Sequence, residues 1–187
     1  IVSSGLLDDV EIFLATHVGC QLPSGQIALT ADGFLWAEKW NVTFTGQAAH
    51  AAMCPEEGRN ALLAAAIAIP GLYALPRDGQ SDTRINVGLL QAGRTRNVIA
   101  DHAYLELELR ASTHEGLARL TASARRTLQG AALTQGVDAT IDVYGTAISA
   151  ASDPDVMERL RDAVCSTNGG SIVQSWPIGG GDDATFM

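Results

Sequence analysis

Four side chains in this sequence have the types and positions that ligand or metal chemistry requires. His17 follows an apolar run, His50 lies in the small-residue stretch Ala48–Ala52, and Asn97 and Arg110 bracket an alternating segment. Neutral imidazole is a good ligand for Zn²⁺ or Mn²⁺. A guanidinium binds a carboxylate through two parallel hydrogen bonds, and an amide adds a further donor. Asn97 and Arg110 therefore predict a carboxylate-binding pair.

Each of these residues also has a structural explanation. A lone histidine such as His17 is more often structural than a metal ligand, and from the sequence alone His50 is more often a solvated loop histidine than a functional one. A guanidinium at the end of an apolar strand is costly unless it is paired, so Arg110 has two possible partners within the chain, Asp101 and Glu108. The residues alone leave both explanations open.

Composition restricts the class of protein. Hydrophobic residues make up 47% and charged residues 18% of the 187 residues, which is typical of a globular protein. A net charge of −9 argues against a nucleic-acid partner and gives no attraction to anionic membranes. The longest apolar run, Ala61–Pro70, is too short to span a bilayer. Because the three cysteines are widely spaced and no signal-peptide pattern is visible, we expect a cytoplasmic protein.

The elements that must position the four side chains follow one order along the chain. Alternating apolar residues predict strands, and Ala- and Leu-rich runs at helical spacing predict helices. The predicted segments are a strand at 38–45, a helix at 59–75, strands at 83–91 and 98–110, a helix at 113–135 and a strand at 137–146. This order predicts an α+β, ferredoxin-like βαββαβ domain, in which two helices cover one face of a four-stranded antiparallel sheet.

Local signals add detail inside and outside this domain. Pro70 predicts a kink or an early end of the first helix, because proline removes a backbone donor. Val10–Val18 predicts a buried strand that ends near His17, and residues 27–30 and Ser171–Trp176 predict further strands. Asp153 caps a helix that extends to about Val164.

The last residues carry two more patterns. Gly179–Gly181 lacks the spacing of a phosphate-binding loop, so a turn beside a cleft is the simpler interpretation. Asp182 and Asp183 resemble the first turn of another helix.

Four patterns in one order carry a resemblance to a known family. They are Ala15–Gly19, Gly46–Ala52, Gly93–Asp101 and Leu109-Arg110, supported by Pro55–Ala66, Arg84–Gly88 and Asp182–Thr185. Together they resemble the amidohydrolase branch of the M20 metallopeptidases, close to the p-aminobenzoyl-glutamate hydrolase type. The resemblance covers essentially the whole chain.

The resemblance implies a domain organisation and a dimer. Residues 37–147 would form a dimerisation (lid) domain, and residues 1–36 and 148–187 would be partial segments of an α/β catalytic domain. The intact enzyme would be a homodimer through the lid, with two divalent metal ions, Mn²⁺ or Zn²⁺, and a second type of subunit remains possible. The chain alone would be inactive, because most metal ligands and the general base would lie elsewhere.

The resemblance also assigns a role to each candidate residue. His17 would be a metal ligand, and His50 would reach the partner's active site to hydrogen-bond the scissile carbonyl. Asn97 and Arg110 would hold the free carboxylate of an N-acyl or N-aroyl amino acid such as p-aminobenzoyl-glutamate. The alternatives are a non-catalytic module that dimerises and binds small carboxylates, and a purely structural dimerisation piece.

Overall fold

A computed structural model of the chain describes residues 4–18, 22–29, 31–167, 171–173 and 176–177. The chain divides into two compact units. One is continuous, Trp36–Thr146, and the other combines Ile1–Leu35 with Ala147–Met187. None of the helices in the described residues is both long and apolar enough to cross a membrane.

The described residues form three α-helices and eight strands, and those between residues 36 and 147 follow the predicted order with small shifts at their ends. In chain order they are β1 (Gln26–Ala28), β2 (Ala31–Asp32), β3 (Trp36–Thr45), α1 (Ala61–Tyr73), β4 (Thr83–Ala92), β5 (His102–Ala111), α2 (His114–Gln135), β6 (Asp138–Ala147), α3 (Pro154–Ser166), β7 (Ser171–Val173) and β8 (Trp176–Pro177).

The continuous unit contains a four-stranded antiparallel sheet with the strand order β4-β5-β3-β6. The central strands β3 and β5 pair along their whole length, from Trp36 opposite Ala111 to Thr45 opposite His102. This order places the first and third strands of the unit at the centre, as in a ferredoxin-like sheet. The α+β prediction is confirmed.

The core lies between one face of this sheet and the two helices. The large side chains with almost no exposure are Trp40, Val42, Phe44, Leu72, Leu105, Leu109 and Leu128. The buried side chains of β3 and β5 occupy every second position and share one face of the sheet, because successive side chains of a strand point to opposite faces. The apolar pattern of the sequence therefore decides which face of each strand the helices cover.

Both helices begin at polar caps. The Asn60 side chain accepts a hydrogen bond from the Leu63 backbone N–H at 3.0 Å. Helix α1 therefore begins at Ala61, two residues after the predicted start at Arg59. Thr113 likewise accepts from the Gly116 N–H at 3.0 Å, and α2 ends at Gly136 with a φ of 61°. A positive φ is inexpensive only for glycine, so the helix ends there.

The prediction of an early end at Pro70 is wrong, because α1 continues to Tyr73. Pro70 lies in the last turn, where it removes one helical hydrogen bond, and its carbonyl accepts from the Ala74 N–H at 2.9 Å. Leu72, in the same last turn, is fully buried. The packing of this turn outweighs the missing bond.

The strand predicted at Val10–Val18 is also wrong: these residues are exposed and have no regular secondary structure. A strand needs a hydrogen-bonded neighbour, and a local apolar run does not specify one. In this unit β1 pairs in parallel with β7, and β2 with β8. The described residues of the strand predicted at Ser171–Trp176 therefore belong to two short strands, β7 and β8.

The second unit also contains a capped helix, α3. Helix α3 forms as predicted and extends two residues past Val164, and the Asp153 carboxylate accepts from the Asp155 and Val156 N–H groups at 3.0 Å. The patterns at Gly179–Gly181 and Asp182-Asp183 lie outside the described residues.

The buried face of α2 gives a stability prediction. Leu128→Ala should lower the free energy of unfolding by about 2–5 kcal/mol, because Leu128 is fully buried and its truncation leaves a cavity. Urea unfolding followed by tryptophan fluorescence measures the loss. Leu133→Ala on the same helix is the matched control, since Leu133 is 82% exposed, and its effect should stay within about 0.5 kcal/mol. Equal losses in both variants would contradict this core.

Candidate functional site

Two loops at one end of the sheet lie side by side, and we call them the distal loops: residues 46–60 after β3 and residues 93–101 before β5. Backbone hydrogen bonds join them, from the Ile99 N–H to the Ala49 carbonyl and from the Ala51 N–H to the Asn97 carbonyl, both 2.9 Å. These bonds place His50 opposite Val98 in an isolated bridge. The two loops therefore bring His50 and Asn97 to the same place.

Glycines permit the close approach of these loops. Gln47 and Arg59 exchange two backbone hydrogen bonds of 3.0 Å within the first loop. A β-carbon at Gly46 would overlap the Arg59 carbonyl oxygen, and one at Gly58 would overlap the Ile99 side chain. Larger residues at either position would push apart the segments that hold His50.

His50 has a defined ring orientation. Its Nδ1 accepts hydrogen bonds from the backbone N–H groups of Ala52 and Met53, each at 3.2 Å. A nitrogen that accepts hydrogen bonds carries no proton, so the neutral ring bears its proton on Nε2. The half-buried imidazole thereby offers an N–H donor at its outer end.

The Asn97 side chain also uses its acceptor atom within the chain and keeps its donor group available. Its Oδ1 accepts a hydrogen bond from the Thr95 hydroxyl at 3.1 Å. The amide NH₂ keeps two donor hydrogens, and the side chain is exposed. His50 and Asn97 thus present hydrogen-bond donors at the distal loops, which suits a carbonyl oxygen or a carboxylate.

Arg110 lies at the other end of β5. It pairs with Ala37 near the start of β3 and with Arg84 near the start of β4. From His102, beside the distal loops, the strand to Arg110 measures about 27 Å at ~3.4 Å per residue. Within a single chain the length of β5 separates Asn97 from Arg110, so the carboxylate-binding pair stays a prediction.

Arg110 makes an ion pair within the chain. Its Nη2 lies 2.9 Å from the Glu108 carboxylate, and the two side chains are 27% and 29% exposed. Glu108 was one of the two internal partners expected for this guanidinium. The pair orients Arg110 on the sheet face that the helices leave uncovered.

Tyr104 lies on the same uncovered face. The pKa of its hydroxyl is raised, mainly by partial burial and secondly by its hydrogen bond to Glu106.

His17 lies in the irregular segment before β1, and it has no place at the end of a strand. The described residues contain no group of three or more His, Cys, Asp or Glu side chains that could hold a metal ion. The described part of this chain therefore does not form a metal site by itself, and His17 is a single candidate ligand.

Arg84 is a further functional candidate, to which no sequence motif assigns a role. Arg84, Ile85, Asn86, Glu108 and Arg110 line one shallow depression on the uncovered face. Alternation in 83–91 predicts that Arg84 points away from the core, but only the strand register shows which residue lies opposite it.

A family model described as the peptidase dimerisation domain of the M20 peptidases matches residues 37–134. The match covers more than half of the chain and nearly all of the continuous unit. The chain belongs to the M20 peptidase dimerisation-domain family.

Similar proteins include two hydrolases. The chain is 37% identical over 189 residues to the indole-3-acetyl-aspartic acid hydrolase of Enterobacter agglomerans, and 35% identical over 189 residues to a p-aminobenzoyl-glutamate hydrolase subunit of Escherichia coli. Both alignments cover all of this chain and 43% of the relative. The chain therefore spans less than half the length of the curated relatives it matches.

A solved structure agrees with these matches. The aminobenzoyl-glutamate utilization protein from Klebsiella pneumoniae superposes with a TM-score of 0.86 at 36% identity, covering 99% of this chain and 48% of that protein. The M20 resemblance read from the sequence motifs is confirmed.

The ring orientation of His50 gives a test of the distal loops. His50→Asn should preserve hydrogen-exchange protection of the Ala52 and Met53 amides, because a short amide oxygen replaces Nδ1 as their acceptor. His50→Ala should remove that protection. NMR exchange rates measure both variants, and His102→Ala, an exposed histidine at the start of β5, is the control. Unchanged protection in His50→Ala would contradict the described geometry.

Proposed function

We propose that this chain is the dimerisation part, with flanking catalytic segments, of a metal-dependent amidohydrolase. The proposed substrates are N-acyl or N-aroyl amino acids such as p-aminobenzoyl-glutamate. Residues 37–147 would be the dimerisation domain, and residues 1–36 and 148–187 would belong to the catalytic domain. The observation that carries the proposal is the position of His50 and Asn97 at one end of β5 and Arg110 at the other.

This separation supports an active site shared between two protomers. A small N-acyl amino acid is far shorter than the ~27 Å of strand between the two groups. In a symmetric homodimer, each protomer offers the same surfaces to its partner, so residues distant in one chain can meet across the two-fold axis. We therefore assign Arg110 of one protomer and His50 and Asn97 of the other to each site.

The described residues then have distinct roles. The Arg110 guanidinium binds the free carboxylate of the amino acid, and Glu108 holds it in position. His50 donates its Nε2 proton in a hydrogen bond to the scissile carbonyl oxygen, where negative charge develops during hydrolysis. Asn97 donates a second hydrogen bond to the same substrate. Removal of one such donor from an oxyanion site costs about 10²–10³ in rate.

Hydrolases of the M20 family are generally metal-dependent. We propose that the whole protein uses two divalent ions, Mn²⁺ or Zn²⁺, with His17 as one ligand. The described residues do not fit a complete metal site, so the other ligands must come from outside them. The chain by itself should therefore not turn over substrate.

We propose that the dimer surface is the outer side of α1 and the edge strand β4. Exposed apolar side chains in this area are Leu62, Leu63, Ile67, Tyr73 and Leu90. Contiguous exposed apolar area on a soluble domain marks an interaction site, and an unpaired strand edge is a template for a second strand. The free thiols Cys54 and Cys165 fit a reducing location, so we propose that the dimer acts in the cytoplasm.

A second candidate is a non-catalytic carboxylate-binding module. The depression between Arg84 and Arg110 supports it, because those guanidinium donors need no metal to bind an anion. This candidate predicts carboxylate affinity that Arg110→Ala removes and that chelators leave unchanged. The test is hydrolysis of p-aminobenzoyl-glutamate by the full-length product of the reading frame. Hydrolysis that a chelator abolishes would exclude the non-catalytic module.

The shared site predicts complementation between inactive variants. In the full-length product, mixed dimers of His50→Ala and Arg110→Ala protomers contain one intact site and one doubly defective site. Random mixing gives half mixed dimers, so about a quarter of wild-type hydrolysis should return. Release of p-aminobenzoate after dissociation and reassociation of the protomers measures it.

The control for this experiment mixes His50→Ala with Asn97→Ala protomers. Both residues lie in the distal loops of one chain, so each site of the mixed dimer carries one defect and no activity should return. Recovery in this control, or no recovery in the first mixture, would refute the shared site.

The apolar side of α1 predicts the oligomeric state of this chain. Ile67→Asp should convert a dimer to a monomer in sedimentation analysis, because a carboxylate would be buried without a partner in the interface. Leu133→Asp on α2 introduces the same charge at a more exposed leucine and should leave the dimer intact. The opposite result would move the interface to α2.

A further inference from the structure

Two guanidinium groups face each other on the uncovered face of the sheet. Arg84 of β4 lies directly opposite Arg110 of β5 in the antiparallel register. Directly opposed residues of antiparallel strands have β-carbons about 4.5–5.5 Å apart, and like charges in such a pair are destabilising. The pair therefore suggests a function that offsets its cost.

The surrounding carboxylates satisfy one of these two cations. Glu108 forms the ion pair with Arg110 and also lies opposite Lys39, so its charge is shared. Glu106 is the next acidic residue on this face, one row further from Arg84. Among the described residues, no acidic side chain forms an ion pair or hydrogen bond with Arg84, which is exposed beside the depression.

Asn86 adds a neutral donor to the same depression. The Tyr73 hydroxyl donates to its Oδ1 at 3.2 Å and accepts from the Val87 N–H at 3.0 Å. These bonds use the oxygen of the amide and leave its NH₂ as a donor. Arg84, Asn86 and Arg110 thus line a depression whose donors match an anion with more than one carboxylate.

We propose that Arg84 is a specificity-determining residue that binds the side-chain carboxylate of an acidic amino acid, while Arg110 binds its α-carboxylate. The inference rests on the proposed function, and it narrows the substrate class to N-acyl derivatives of glutamate or aspartate. Two guanidinium forks side by side suit two carboxylates a few bonds apart. A neutral side chain in the substrate would leave Arg84 opposite Arg110 without a bridging anion.

The first experiment measures binding to the 187-residue chain, independently of catalysis. Glutarate has two carboxylates with the separation found in glutamate, and its monoamide, glutaramate, has one. NMR titration at low ionic strength should show glutarate binding about tenfold more tightly than glutaramate. In Arg84→Gln the two affinities should become equal, and Arg84→Lys should keep part of the preference because it keeps the charge.

Arg94→Gln is the matched control, since it removes the same charge from an exposed arginine at the distal loops. It should leave the glutarate preference unchanged. Equal affinities in the wild-type chain, no binding of glutarate, or the same loss in Arg84→Gln and Arg94→Gln would each overturn the proposal.

Hydrolysis by the full-length product distinguishes this inference from the proposed function. The ratio of kcat/KM for N-acyl-glutamate over N-acyl-glutamine should fall at least about tenfold in Arg84→Gln, with glutamine-substrate turnover preserved. Hydrolysis of both substrates with an unchanged ratio would refute the role of Arg84 and keep the amidohydrolase. Glutarate binding through Arg84 with no hydrolysis of either substrate would refute the amidohydrolase and support the carboxylate-binding module.

Discussion

The pairing of β5 with β3 on one side and β4 on the other is the constraint on which the rest of this domain depends. Its register is fixed by burial, because Leu105 and Leu109 must face the helices together with Trp40 and Val42 of β3. A slip of one residue would turn all of these side chains toward solvent and bring charged ones into the core. The same register sets the positions of the polar residues on the other face, so the core also determines the arrangement of the candidate site.

A rigid strand separates the polar groups of the candidate site, so the proposed site depends on how two chains assemble. His50 and Asn97 depend on the distal loops, whereas Arg110 belongs to the strand itself and is oriented by Glu108. No rotamer change spans the length of β5. In the proposed homodimer, a symmetric partner would supply the missing end of the site without any change within the domain.

The distal loops illustrate how backbone geometry prepares a side chain for hydrogen bonding. Gly46 and Gly58 permit the close contacts that hold residues 46–60 together, and the Ala52 and Met53 amides then select the protonation site of His50. An imidazole fixed in this way needs no reorganisation to donate its hydrogen bond, which is the condition for effective electrostatic stabilisation. Gly46 and Gly58, visible in the sequence, therefore have a structural purpose that the sequence did not reveal.

The sequence by itself determined the α+β class, the order of helices and strands in the continuous unit, and the motifs that place the chain in its family. These features depend on local periodicity, on caps such as Asn60 and Thr113, and on short motifs, all of which are written in neighbouring residues. The tertiary structure decided the rest. It showed that Val10–Val18 forms no strand, that Asn97 and Arg110 lie at opposite ends of β5, and that Arg84 faces Arg110. Strand partners and register arise from contacts between distant segments, and no local pattern in the sequence specifies them.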